Sequence, residues 1–290
     1  MSSNPPMRIP AEFEEETLNP DGNPAVDALA QQAIAQANAA PTEEDREAPR
    51  PPTTNRNALH VKLPVGITNM LTGDEYREAE VRELNGSDEE YASRGKHFVD
   101  RKARLVERGV VSLGDEEAEK SVLMSMAVGD REAMLLAICR ATYGDELSLD
   151  ITCPSCKEEQ EVTVDLATEI PIREYDSMQQ EYTLKDGTSV TFHWATGNDE
   201  KAVWDFATKN PQATTSEMNT QMLAQVLDDV GGFEILTEDD ARKLSMRHRS
   251  ELMEFIGTNA PGPRYDELTA TCASCEHEAD LEVSFADMFR

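Results

Sequence analysis

The chain has 290 residues, enough for one large domain or two modest ones. It carries 57 acidic against 27 basic residues, a net charge of −30, and only nine of the basic residues are Lys. That balance argues against general binding to a phosphate backbone, which needs Lys and Arg along the contact face. It fits a solvated acidic surface, adaptation to a high-salt interior, or an acidic face that meets a basic protein.

In chain order, residues 1–56 read as an N-terminal arm and linker, disordered or partner-binding. They hold nine of the fifteen prolines. Within them Val26, Leu29, Ala30, Ala33, Ile34 and Ala37 share one helical stripe, too small and Ala-rich to bury much alone. The opening MSSNPPMRIPAEFEEE lacks the basic start and apolar core of a secretory signal. No stretch approaches the roughly 18 consecutive apolar residues of a membrane span, so a soluble, intracellular protein is expected.

Residues 57–290 read as one folded α+β domain. EAEVREL alternates as a strand, Asn85-Gly86 turns, and Ser87 is placed to cap one helix through DEEYASRGKHFVDRKARLVER. GDREAMLLAICRATYG predicts a core helix, with Asp130 as N-cap, Gly144 as stop and Cys139 as a buried thiol. ELSLDITC and EEQEVTVDL are strands on either side of the first CxxC, in a knuckle over 147–166. EYTLKDGTSVTFHW is a hairpin turning at Asp186-Gly187. Three helices follow: NDEKAVWDFATKN, TSEMNTQMLAQVLDDV and TEDDARKLSMRHRSELMEFI. Together residues 181–256 read as a hairpin-plus-helices insertion ahead of a second knuckle over 267–285. The two knuckles and the helix before each, LMSMAVGDREAMLLAICRATY and LSMRHRSELMEFI, predict a duplicated helix-plus-knuckle unit; convergence of two unrelated knuckles is the alternative.

The chemistry lies in Cys153, Cys156, Cys272 and Cys275. A CxxC turn supplies two corners of a tetrahedron, and two such turns close a four-thiolate site suited to a structural Zn²⁺. The reading is therefore a helical domain with a β-hairpin, zinc-ribbon-like element built from two CxxC knuckles. Four unrelated free thiols, an iron–sulfur cluster and a redox CxxC are the competing readings; the last wants a helix N-terminus, where strands are predicted here. His277 is an exposed residue or a substitute ligand. His60, His97, His193 and His248 are scattered, and no catalytic residue is indicated. Asp228-Asp229 and Glu238-Asp239-Asp240 read as helix ends and caps, and Phe192, Trp194, Trp204 and Phe206 as core. There is no P-loop and no GxGxxG.

The LPVG at 63–66, the polar helix GSDEEYASRGK and the run VGDREAMLLAICRATYGDELSLDITCPSCKEEQEVTVDL carry a resemblance. Residues from about Leu63 to Tyr175 resemble the T-even-type phage baseplate family, hub subunits and hub-assembly chaperones of tailed viruses; the arm and the second knuckle lie outside it. The resemblance implies a viral tail baseplate protein without enzyme activity. Its partners would be other tail or baseplate proteins, with a basic contact face set by the acidic charge, and several copies could share one assembly. Its place would be the host cytoplasm during assembly, or the virion tail. The competing function is a zinc-ribbon protein binding nucleic acid in transcription or processing. That reading wants Lys, Arg and aromatics on strands that here read KEEQEVTVD and EHEADLEVS. A metalloenzyme would need an open coordination position and a nearby base.

Overall fold

The computed structural model describes residues 58–68, 75–281 and 283–289. The expected arm over 1–56, with its apolar stripe, lies outside them.

β1 (Leu59–Thr68) pairs antiparallel with β2 (Glu75–Val81), and the register breaks between Lys62 and Ile67, where Leu63-Pro64-Val65-Gly66 bulges. β2 ends at Val81, and the next residue, Arg82, folds onto buried Asp88 through two bonds of 2.8 and 3.0 Å. Such a paired fork is strong because both partners are charged. Asp88 also completes a capping box with Asn85 at the start of α1 (Gly86–Ser93). The single helix expected from Ser87 is thus two, and Asn85 is the cap. The chain breaks after Ser93, and His97 caps α2 (Phe98–Gly109) by accepting from the Asp100 N–H. β3 (Val110–Leu113) and β4 (Glu116–Glu117) complete a meander in the order β1-β2-β3-β4. α3 (Lys120–Ser125) then leads to α4 (Val128–Tyr143), which buries Met134, Leu135 and Ile138 against that sheet and stops at Gly144.

Asp130 is the third residue of α4, not its cap. Its carboxylate accepts from the N–H groups of Val65 (2.7 Å) and Gly66 (3.0 Å), which ties the β1 bulge to the helix. Burial raises its pKa from 3.8 to about 6, against those two hydrogen bonds, which lower it.

β5 (Glu146–Thr152) and β6 (Glu159–Asp165) form the first two-stranded ribbon, and β7 (Ile172–Arg173) begins the crossing to a second sheet. There β8 (Gln179–Thr183) and β9 (Ser189–His193) form the expected hairpin. α5 (Gly197–Lys209) carries a Thr196–Asp199 capping box, and α6 (Thr215–Val226) follows. Leu227-Asp228-Asp229-Val230, expected as helix end, is strand β10, joined by β11 (Phe233–Glu234) in the order β11-β10-β9-β8. The last long helix expected is also two, α7 (Glu238–Lys243) and α8 (Met246–Asn259), because Ser245 caps a new start. β12 (Gly262–Pro263) pairs with β7, and β13 (Thr269–Thr271) with β14 (Glu278–Asp280) makes the second ribbon. α9 (Phe285–Met288) closes on α4, where the Cys139 thiol donates to the Met288 carbonyl at 3.1 Å.

The two halves share one order: hairpin, two helices, two short strands, short helix, long helix, CxxC ribbon. The match is detailed. β3 and β10 bulge at the same register against β2 and β9. α1 and α5 both open with a capping box, in Asn85-Gly86-Ser87-Asp88 and Thr196-Gly197-Asn198-Asp199. The hairpin is tied to the long helix in both, by Asp130 in one and by Glu251, which accepts from the Lys185 N–H and the Tyr182 hydroxyl, in the other. Residues 181–256, expected as a hairpin-plus-helices insertion, thus carry their elements in the same order as the first half. The helix starts pair Ala127 with Ser245, two residues away from the Ser-Met match that the sequence offers.

Each half has its own apolar cluster, one around Leu63, Val81, Val106 and Ile138, the other around Phe192, Trp194, Leu223 and Leu252. A third, with Leu149, Val164, Ala270 and Leu281, lies under both ribbons. Phe192 and Trp194 are core as expected, whereas Trp204 and Phe206 are only half-buried. Among the described residues no helix is long and apolar enough to cross a membrane.

Candidate metal centre

The two ribbons bring their tips together. Cys153 Sγ lies 3.7 Å from Cys275 Sγ, Cys156 Sγ lies 3.6 Å from Cys272 Sγ, and all four sulfurs fall within 4.8 Å of one another. None is in a disulfide, which would need about 2.05 Å. A tetrahedral zinc with bonds of about 2.3 Å has sulfur–sulfur edges of about 3.8 Å, so the spacing fits that ion's donor set. With four thiolates no coordination position stays open for substrate.

Each tip is built the same way. In the first, the Cys153 N–H donates to the Glu158 carbonyl (2.9 Å) and the Lys157 N–H to the Cys153 carbonyl (3.0 Å). In the second, the Cys272 N–H donates to the His277 carbonyl and the Glu276 N–H to the Cys272 carbonyl, both at 2.9 Å. Closing the turn so tightly sends Lys157 to φ 63° and Glu276 to φ 58°. These are the two non-glycine residues with positive φ among those described, and each left-handed residue costs about 1–2 kcal/mol. The backbone strain therefore lies at the residue after each second cysteine.

The thiols do not titrate alike. The Cys156 N–H, aimed at Cys153, is the main cause that brings the Cys153 thiol down to about 6; the Ser155 N–H and neighbouring thiols add to it, against burial. The Glu158 N–H favours the Cys156 thiolate, but the thiols of Cys275, Cys153 and Cys272, with burial, raise Cys156 to about 12. Cys153 and Cys156 therefore titrate in dependence on their neighbours rather than singly.

Gln160 bridges the ribbons. Its amide accepts from the Ala273 N–H at 2.9 Å and donates to the Thr271 carbonyl at 3.5 Å. Nothing in its sequence context marks it.

The outer faces of the ribbons are acidic. In the first, Glu146 stands opposite Asp165 and Asp150 opposite Glu161. Like charges placed directly across a ladder are destabilising. His277 is exposed and its ring is not part of the sulfur cluster. The other histidines stay apart. His193 lies between Asp199 (3.4 Å) and Asp228 (3.8 Å), and mainly the Asp199 hydrogen bond raises its pKa. His248 pairs with Asp186, and His97 stacks on Trp204. Cys139 is an inert core thiol, pushed by burial to about 11. Glu238, Asp239 and Asp240 form the first turn of α7 as expected, while Asp228 and Asp229 lie on β10.

Fold and site together describe a two-repeat α+β scaffold whose thiols meet at one point and whose ribbons carry acidic outer faces. The chain belongs to the family described as T4 bacteriophage base plate protein, which matches residues 108–289. The match takes in both CxxC pairs and the whole of the second repeat, from β8 to β14. It leaves out LPVG and GSDEEYASRGK, two of the three stretches on which the resemblance near 63–175 rests. No curated protein and no solved structure matches the chain.

Proposed function

We propose that this baseplate protein is a non-enzymatic component of the hub or a factor in its assembly, and that one structural Zn²⁺ held by Cys153, Cys156, Cys272 and Cys275 clamps its two repeats. The observation that carries the reading is the convergence of four sulfurs within 4.8 Å from ribbons more than a hundred residues apart, with the two cross-ribbon pairs at 3.6 and 3.7 Å, close to the edge of a tetrahedral site. Bound zinc supplies charge neutralisation for the thiolates and a fixed geometry. The residues do the rest: the N–H groups of Ser155, Cys156 and Glu158 orient the sulfurs, and Gln160 fixes one ribbon against the other. The rigid pair then presents acidic faces to basic surfaces of other tail proteins, in the host cytoplasm during assembly and in the tail if the protein stays there. Salt should weaken that encounter.

Metal analysis of the purified protein tests the site. One zinc per chain is expected, and none in Cys153→Ser or Cys272→Ser. A metal-free wild type, or undiminished zinc in Cys272→Ser, would refute it. Mass spectrometry of purified particles against infected-cell lysate separates a resident hub component from a factor that departs.

A further inference from the structure

The two repeats meet through a contact that is not reciprocated. α5 of the second repeat seats on α2 and α4 of the first. The Val128 N–H donates to the Ala195 carbonyl at 2.7 Å, and the Gly197 N–H to the Met126 carbonyl at 3.2 Å. Glu200 reaches Arg131 (3.2 Å) and Lys102 (3.3 Å), both largely buried. His97 stacks on Trp204 with centroids 6.0 Å apart. Gly197 leaves room there for the Arg131 guanidinium, which would have to shift for a Cβ standing 2.3 Å away.

The fold equivalence gives each half of this contact a counterpart elsewhere in the chain. The counterpart of α5 is α1, where Gly86 and Glu89 stand in the places of Gly197 and Glu200. A Cβ on Gly86 would meet nothing within 4 Å, and Glu89 is exposed with no ion pair among the described residues. The counterpart of the surface under α5 is the start of α8 with the first half of α6. Met246 takes the place of Val128 and is 88% exposed. Arg249 takes the place of Arg131, and its guanidinium donates to Ser216, Thr220 and Ala241 of its own repeat. Arg247 beside it is exposed, with no partner among the described residues. It is an open cation in a strongly acidic chain.

We propose that these open halves belong together: α1 of one copy docks on the α6–α8 face of another, with Glu89 against Arg247 and Gly86 allowing the close approach, so that copies associate head to tail. Such a contact is heterologous, and it propagates until geometry closes a ring or stops it. The proposal goes beyond the zinc clamp, which acts within one chain, and it stands or falls separately. The net charge of −30 opposes association at low salt, so it is best sought where long-range repulsion is screened.

The test is sedimentation velocity of the full-length, zinc-loaded protein up to about 100 μM, a range suited to weak interfaces. Wild type is expected to grow with concentration. Gly86→Gln with Glu89→Gln disables one half without offering a cation to the other, and Met246→Asp with Arg247→Glu disables the second half. These positions are exposed, and a Cβ at Gly86 meets nothing within 4 Å, so both variants should keep the wild-type circular dichroism and run as monomers. Mixed in equal amounts, they should form a one-to-one dimer and nothing larger, since one intact half survives on each. A wild type that stays monomeric throughout, variants that associate as wild type does, or a mixture that stays monomeric would each overturn the proposal.

Discussion

Removing the proposed zinc is the perturbation with the largest expected effect, and the structure bounds its size. Between Cys156 and Cys272 lie 115 residues. Cross-linking a loop of that order restricts the unfolded chain by about 4–5 kcal/mol in the chain-entropy treatment. Two features limit how much of this is lost. The apolar cluster of Leu149, Val164, Ala270 and Leu281 still holds the ribbons together, and Gln160 still bridges them. Two features act the other way. Four thiols in stripped wild type, or three in Cys272→Ser, remain crowded in the space of the cluster, and Lys157 and Glu276 keep their strained conformation. A loss of about 3–5 kcal/mol is expected for Cys272→Ser, a large part of the 5–15 kcal/mol typical of a whole domain. Chemical denaturation of wild type, Cys272→Ser and chelator-treated protein, each with its zinc content measured, gives the number. Loss of zinc with stability changed by less than about 1 kcal/mol would refute the clamp and leave the apolar cluster as the real fastening.

Three further outcomes are expected. Asp130 has a folded pKa of about 6 against 3.8 for the free side chain, so the folded state takes up its proton first. Its charged form is held at a cost above pH 6, and its contribution to stability should improve by about 1 kcal/mol between pH 7.5 and 5; denaturation series of wild type and Asp130→Asn should differ by that slope, and identical slopes would count against it. Lys157→Gly and Glu276→Gly each relieve left-handed strain at some cost in chain entropy, for a net gain of about 0.5–1 kcal/mol. Lys157→Val should lose more than 1 kcal/mol, and equal melting temperatures for the Gly and Val variants would contradict the assignment. Gel-shift titration at moderate salt should show no DNA or RNA binding, given the acidic pairs Glu146–Asp165 and Asp150–Glu161; micromolar affinity would promote the nucleic-acid ribbon reading.

Much of the α+β plan is legible in the chain because period and punctuation agree locally. The strands around each CxxC alternate cleanly, and α4 is bounded by Gly144 at one end. The four cysteines announce themselves through repeated spacing. What is hidden has physical causes. Helix breaks after Ser93 and at Leu244-Ser245 interrupt runs of good helix formers, and capping by His97 and Ser245 decides them. Leu227–Val230 is short and follows a helix directly, so its pairing with β9 is a tertiary choice. Asp130 resembles a cap but binds the backbone of a strand 65 residues earlier. The full repeat escapes notice because its first half keeps geometry rather than residues. Val81 and Phe192 share a register position, as do Val110 and Leu227, with little in common beyond being apolar.

The placement of the thiols at the far end of each repeat also sets an order of events in synthesis. Cys153 and Cys156 leave the ribosome long before their partners. At about 5–20 residues per second, the 115 residues before Cys272 take roughly 6–23 s to make. During that interval the first half must stand without its clamp. Its fully buried core, from Leu63 to Ile138, is drawn wholly from residues already made. On the proposed zinc reading, metal capture is then a late step that proofreads completion: only a chain extended past Cys275 brings all four thiols together.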